Sequence, residues 1–458
     1  MKGLRKKLCY GIGNLGYSVV NQTITNFFMF FGTSVLKVPG SLIGLAVALS
    51  TIWDAVTDPI VGFISDNHRM GFLGYRNGYV LIGTIGVSIV NLFIWCVPLN
   101  LSVGVKFAWV LICLLLNETF CTLYSTPYGA LCGDLVSDYN DRTEIQIYKT
   151  IFFILGMVLP SILLYIFLPN TTQYPQGQLN PYGYRNIAIV CSCIMLVCGM
   201  ICVFGTLTRQ DKKVESTEKF SLKHLLISYA QCFNNYHLRL VIIGYSLSMI
   251  SSAILTSVGL HFFTYCFKYS SLQITILLST LLVFMAISQP FWYKLSKRDD
   301  KKPALLSGLL VAIVGVIIIM LSYVFKDMLG NISFYIILLA ICVVGVGSGT
   351  LYSLPASMYL DVAEYSNPEK NNGATMQSYL TFSYNIANAT ALFLVGVLLD
   401  VIKFNPNITT QSRPTQTGIS IILFLGVLIS LISSFLVFSK YKLKQKNFNK
   451  ESDKIDND

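Results

Sequence analysis

Charge is scarce in this 458-residue chain. Only 12% of it is Asp, Glu, Lys or Arg, against 54% apolar residues and a mean hydropathy of +0.62. Soluble domains carry about a quarter charged residues, so a water-soluble enzyme or nucleic-acid-binding module is excluded as a class. The four histidines, His68, His224, His237 and His261, form no cluster. The twelve cysteines show neither metal-ligand nor disulfide spacing and read as small apolar residues of helices. Also missing are a phosphate-cradling glycine loop and a nucleophile–base constellation, so no enzyme and no cofactor are expected. No small-residue cleavage pattern follows the basic start MKGLRKKLCYGIGNLGYSVV. That stretch reads as a first spanning helix and not as a removed leader.

Long apolar runs are what the chain has instead. Windows of about 20 apolar residues recur at 9–35, 42–66, 78–98, 107–131, 147–168, 187–207, 238–266, 273–293, 304–325, 332–358, 375–401 and 417–439. This predicts an all-α membrane protein with twelve spans. With the N-terminus inside, 26 of the 33 Lys and Arg fall in inner loops and ends and 7 in outer ones. The positive-inside rule thus accounts for the net charge of +11 without a nucleic-acid partner. Both termini are expected in the cytoplasm of a multi-pass protein of the cell membrane (the inner membrane in a Gram-negative bacterium). Residues 1–208 and 238–440 form two six-span halves. Between them, 209–237 reads as a cytoplasmic linker ending in an amphipathic surface helix, and 441–458 as a disordered tail. A six-plus-six plan is that of the major facilitator fold, whose solute sites lie at mid-membrane between the halves.

Against this background the stretch TIWDAVTDPIVGFISD stands out. Asp54 and Asp58 lie one helical turn apart inside span 2, and Glu118 lies inside span 4. Each is costly there, by about 2.5–3.5 kcal/mol for an Asp on insertion scales. A structural ion pair needs a basic partner, and the charge census leaves none unless Lys149 dips inward; acids kept protonated and hydrogen-bonded are a second structural possibility. The functional alternative is a cation site. Positions i and i+4 share a helix face, and a bound cation or proton relieves the repulsion between two carboxylates. Counted from the outer side, Glu118, Thr122 and Ser125 match the depth of the pair and form one stripe.

Polar stripes also run along span 1 (Asn14, Ser18, Gln22 or Asn21, Thr25) and span 11 (Gln377, Ser378, Thr381, Tyr384, Asn385, Asn388). The hydroxyls of span 7, Ser246 to Ser257, suit helix–helix hydrogen bonding, as do Gly345, Gly347 and Gly349 close packing in span 10. The stripes of spans 1, 4 and 11 together suggest a shared polar cavity.

YGIGNLGYS, IWDAVTDPIVGFISDNHR, YSTPYGALCGDLVSDYNDRTEIQIYK and MYLDVAEYSNPEKNNGA resemble the glycoside–pentoside–hexuronide:cation symporters, a major facilitator family whose best-known member is the melibiose carrier. The resemblance spans both halves and is most specific in W-D-x-x-x-D-P. It implies that Asp54, Asp58 and Thr122 hold Na⁺, Li⁺ or H⁺. The chain also departs from the family. Ser18 and Ser125 fall where the melibiose carrier has two sugar-binding acids, Tyr384 where it has a lysine, and Lys149 where an arginine is usual. The expected function is symport of a small polar solute, a sugar or glycoside first, driven by Na⁺ or H⁺. Asp54 and Asp58 would be the cation ligands with Thr122. Asn14, Ser18, Gln22, Glu118, Ser125, Lys149, Tyr384 and Asn385 would be the solute-binding set. A lysolipid or other small-solute carrier of the same fold is the alternative, and a membrane sensor or scaffold without transport is a third class.

Overall fold

A computed structural model of the chain describes residues 2–135, 139–207, 233–366, 373–408 and 410–442. The expected surface helix of the linker and the tail beyond 442 lie outside the described residues. The twelve spans are present as α1 Lys2–Phe30, α2 Gly40–Asn67, α3 Asn77–Trp95, α4 Val103–Leu135, α5 Tyr139–Phe167, α6 Pro181–Gly205, α7 Tyr236–His261, α8 Ser271–Ile287, α9 Lys301–Val324, α10 Ile332–Ser348, α11 Gly373–Val401 and α12 Arg413–Ser439. Ten of the spans are long and apolar enough to cross a membrane. Of the other two, α1 is diluted by its polar stripe, and α10 has only 17 residues.

Several boundaries differ from the expected ones for local reasons. At Ser288 the eighth span breaks and resumes as Gln289–Asp299, because Pro290 has no N–H to continue the ladder. The tenth gives way after Ser348 and resumes as Leu354–Ser366. At the inner end α5 starts at Tyr139, about two turns before the apolar run, and a charged first stretch carries it out of the membrane. One feature not visible in the sequence is shared by the two halves. Both α1 and α7 end in a five-residue π-helix, Phe31–Val35 and Phe262–Cys266. Each is followed by a lysine with positive φ, Lys37 and Lys268.

The contacts divide the chain into two units. The first comprises Met1–Phe220, Thr256–Thr275 and Leu392–Gln416; the second comprises Ser221–Leu255, Ile276–Ala391 and Thr417–Asp458. In the first, α1 packs on α5 and α6, α2 on α4, and α3 on α4 and α6. Buried amides tie these helices together. Asn91 Nδ2 donates to the Ala188 carbonyl (3.1 Å) and to Ser192 Oγ (2.9 Å), and Asn77 Nδ2 donates to the Val203 carbonyl (3.0 Å). Such bonds suit a membrane interior, where an unmet polar group costs several kcal/mol. The outer ends of α7 and α11 belong to the same unit. His261 Nε2 pairs with Thr33 Oγ1 at 2.7 Å, and the Asp400 carboxylate accepts from the Gly40 and Ser41 N–H groups at 2.7 and 2.8 Å. There α2 and α11 touch backbone to backbone: a Cβ on Gly396 would lie 2.1 Å from the Gly40 carbonyl oxygen.

In the second unit α9 packs on α10, and Gly347 provides the close approach expected of it. A Cβ there would lie 2.4 Å from the Ala312 nitrogen. Trp292 Nε1 donates to the Val346 carbonyl (2.7 Å), and Lys301 Nζ meets Asp361 Oδ2 (2.5 Å) at the inner end.

Candidate cation and solute site

The acids sit on a seam between two helices that cross the membrane in the same direction. Thr122 Oγ1 donates to Asp54 Oδ1 at 2.9 Å, and one turn further in Thr126 Oγ1 donates to Asp58 Oδ1 at 3.3 Å. The same offset of 68 residues separates both pairs. It also relates Pro59 to Pro127, the prolines inside α2 and α4. The two helices therefore lose a backbone donor at one level, at the carbonyls of Ala55 and Leu123, beside the lower carboxylate. Thr57 and Thr122 hydroxyls lie 3.3 Å apart, and Trp53 Nε1 donates to Thr119 Oγ1 (2.9 Å) on the lipid-exposed edge. Thr126, Thr57, Pro59 and Pro127 did not enter the expected site. Their signal was the repeated spacing, D-x-x-x-D-P against T-x-x-x-T-P.

Both carboxylates are half-buried. Among the described residues neither makes an ion pair. Each accepts one hydroxyl hydrogen bond, so most of their acceptor capacity is unused. Glu118, also half-buried, forms no hydrogen bond among the described residues. No three of His, Cys, Asp or Glu converge as metal ligands among the described residues. Two carboxylates, a hydroxyl and a proline-freed backbone level gather oxygen groups on one seam, donor chemistry that suits a hard monovalent cation or a proton.

The expected solute-binding residues fall in several surroundings. Asn14 Nδ2 donates to the Lys149 carbonyl at 3.1 Å, fixing α1 to α5. Ser18 is buried and donates to its own helix at the Leu15 carbonyl (3.2 Å), with Gly156 so close that a Cβ there would strike its hydroxyl. This hydroxyl is engaged in packing. Gln22 Nε2 donates to Asn26 Oδ1 (2.9 Å), Asn21 Nδ2 to the Tyr17 hydroxyl (3.4 Å), and Thr25 Oγ1 to the Asn21 carbonyl (2.9 Å), so the α1 stripe bonds largely to itself. Ser125 is half-buried on α4. Lys149, counted from the sequence with the inner ends, lies within the membrane-crossing part of α5, and its Nζ stands 5.4 Å from the centre of the Tyr128 ring. In the second unit Tyr384 meets Tyr245 edge to face (5.5 Å) and Asn385 is buried. Asn388 leaves its Oδ1 buried without a hydrogen-bond partner there. The side chains of Gln377 and Ser378 lie outside the described residues.

Residues 9–445 match the family described as MFS/sugar transport protein. The chain belongs to that family. It is a membrane transporter of the major facilitator fold and not an enzyme. A Salmonella typhimurium protein named "Putative sulfoquinovose importer" is 24% identical over 97% of this chain and 91% of its own length. An uncharacterized symporter of Bacillus subtilis is 23% identical over 96% and 92%, and the sodium-dependent lysophosphatidylcholine symporter 1 of Xenopus tropicalis 22% identical over 96% and 87%. The fold is shared with solved transporters. A D-xylose-proton symporter aligns with a TM-score of 0.65 at 13% identity, covering 96% of this chain and 98% of that one. A nucleoside transporter aligns at 0.64 and 16%, covering 96% and 100%.

Proposed function

We propose that the protein couples entry of a monovalent cation, Na⁺ or H⁺, to uptake of a small polar solute, a sugar or glycoside first. The two six-helix halves would expose the site alternately to either side. The observation that carries this reading is the state of the α2 acids. Asp54 and Asp58 each hold one α4 hydroxyl and meet no Lys or Arg among the described residues. A carboxylate pair in that setting is relieved by binding a cation or a proton, and the same property links its occupancy to transport. Asp54 and Asp58 hold the ion and Thr122 completes its shell. Asn14, Glu118, Ser125, Lys149, Tyr384 and Asn385 are the candidates for contact with the solute. The charge distribution supports a cell-membrane protein with both termini cytoplasmic.

The relative named for sulfoquinovose import supports a sugar. The one named for lysophosphatidylcholine supports a second reading, a lysolipid carried by the same ion site. The test is uptake into proteoliposomes of labelled sugars, amino acids and lysolipids, with imposed Na⁺ and pH gradients. Accumulation of one class that collapses with one gradient is expected. A solute concentrated equally well without either gradient would sink the symport reading.

A further inference from the structure

The outer connection between α5 and α6, residues 168–180, is a preformed piece that folds back on itself. The Gly177 N–H donates to Asn170 Oδ1 (3.4 Å), and the Thr171 N–H donates to the Tyr174 carbonyl (2.9 Å). The Tyr184 hydroxyl of α6 donates to the Gln178 carbonyl (2.9 Å). Gly177 lies so near the start of the connection that a Cβ would stand 1.9 Å from the Leu168 carbonyl oxygen. The short turn Gly177–Leu179 packs on the π-helix that ends α1.

This piece and the outer end of α5 share a seam with residues 264–275, which end α7 and begin α8 in the same compact unit. Neutral hydrogen bonds cross it in both directions. Gln176 Nε2 donates to the Thr264 carbonyl (3.1 Å) and Gln178 Nε2 to the Tyr269 carbonyl (3.2 Å). From the other side, Thr275 Oγ1 donates to the Ser161 carbonyl (2.7 Å) and Ser271 Oγ to the Leu168 carbonyl. No ion pair crosses the seam among the described residues. The corresponding end of α1 is held by a charge instead: buried Lys106 Nζ, on α4, donates to the Leu36 carbonyl (2.9 Å). A bond from an ammonium is roughly twice as strong as a neutral one.

The same seam leaves polar atoms buried and unanswered. Gln176 Oε1, Gln178 Oε1, Thr264 Oγ1 and Ser161 Oγ have no hydrogen-bond partner among the described residues. Both amides spend their donors on carbonyls, so the atom left over in each is the acceptor. A buried group without a partner bears its full desolvation cost, and a permanently packed core seldom keeps one. Water would answer these atoms once the seam parted. The closed seam therefore gains neutral bonds and loses hydration on both of its faces, and the two effects oppose each other. That is the make-up of a surface that closes and reopens. We infer that residues 168–180 are a strap that holds the outer ends of α7 and α8 closed and releases them when the outer side of the transporter opens. The inference needs the transporter fold alone, and neither the ion nor the solute.

The reporter is Ser34→Cys, on the α1 π-helix beneath the strap, where the native serine is 3% exposed. The full chain, with its native cysteines replaced, is purified into lipid nanodiscs, and the rate of reaction with a charged methanethiosulfonate is measured. Gln176→Ala with Gln178→Ala removes two of the closing bonds and should speed labelling roughly fivefold or more. Thr264→Val with Ser161→Ala removes two of the unanswered hydroxyls. It spares all the closing bonds, because these residues take part through their backbone carbonyls. It should slow labelling roughly threefold or more. Opposite signs separate a strap from loosened packing. Faster labelling in both pairs, or no change in either pair, overturns the inference. A parallel set keeps Cys191, fully buried on α6, as its sole cysteine. Equal gains at Cys191 and at Ser34→Cys in the glutamine pair would show that the whole unit had loosened, and would overturn it too.

Discussion

Two carboxylate contacts to α2 show opposite uses of an acid in a membrane protein. At its outer end α2 meets Asp400, which accepts from the free N–H groups of Gly40 and Ser41. Those donors need an acceptor, and a negative charge there also suits the helix dipole. Each carboxylate oxygen there meets one backbone N–H, so the contact holds α11 against α2. Asp54 and Asp58, about four to five turns further along, receive one hydroxyl each. They repel each other, and both α2, which carries them, and α4 beside it contain a proline at the level of Asp58. What separates a fastening from a site is therefore the match between acceptors and donors.

The comparison breaks most sharply if the unmatched acids prove as structural as the matched one. Asp58→Asn keeps shape and hydrogen-bonding capacity and removes one charge. We expect it to abolish cation-driven accumulation in proteoliposomes while insertion and solute exchange persist, and Asp54→Asn to do nearly the same. Should both variants concentrate solute like the wild type, with the same cation dependence, the pair has no coupling role.

Most of the fold was legible because a membrane reduces the problem to counting apolar windows and basic loops. The ends of α8 and α10 were not, since hydropathy does not report where a proline or a glycine-rich turn breaks a helix. Asp54 and Asp58 were legible because acids in an apolar run are costly and helical spacing places the two on one face, and Thr122 because it lies at their depth on span 4 and falls on the resemblance to the cation symporters. Thr126 and the prolines were missed although their spacing repeats that of α2; an aligned repeat between two parallel helices shows only when the two are compared. Ser18 shows the opposite limit. Its position in a polar stripe marked it for the solute, but stripe arithmetic cannot reveal that Gly156 brings α5 onto its hydroxyl.

That burial sharpens an expectation about substrate. Ser18 is covered and Ser125 is uncharged, so neither supplies an anionic acceptor for several sugar hydroxyls at once. Melibiose is expected to be a poor solute, with uptake at least tenfold below that of the preferred one in the same vesicles. Comparable rates would show that the galactoside site survives these changes.

Next in size are the hydroxyls that partly answer the acids. A hydrogen bond to a charged group contributes about 1.5–3 kcal/mol. Thr122→Ala should therefore weaken cation affinity roughly tenfold or more, as 1.4 kcal/mol is tenfold. Thr126→Ala loses the longer contact and should weaken it less. Cation titration of solute binding measures both. A larger loss at Thr126 would move the centre of the site from Asp54 toward Asp58.

The smallest effect is expected at the fastening. Asp400→Ala removes the acceptor for two helix N–H groups, a change that costs about 0.5–2 kcal/mol where such caps have been removed. Those N–H groups lie at an end where water can replace the lost partner, so the cost should fall at the low end of that range. The Gly40–Gly396 contact and the Thr33–His261 bond remain to hold the seam. The variant should therefore leave the cation dependence of accumulation unchanged and only loosen the outer end of the unit. Thr33→Cys, in a background lacking the native cysteines, reports on this because Thr33 is buried beside His261. With Asp400→Ala added, an impermeant maleimide applied from outside should label it a few-fold faster. An unchanged labelling rate would mean that the carboxylate does not hold the seam. A changed cation dependence would mean that Asp400 and the α2 pair act as one system, and the contrast between fastening and site would no longer stand.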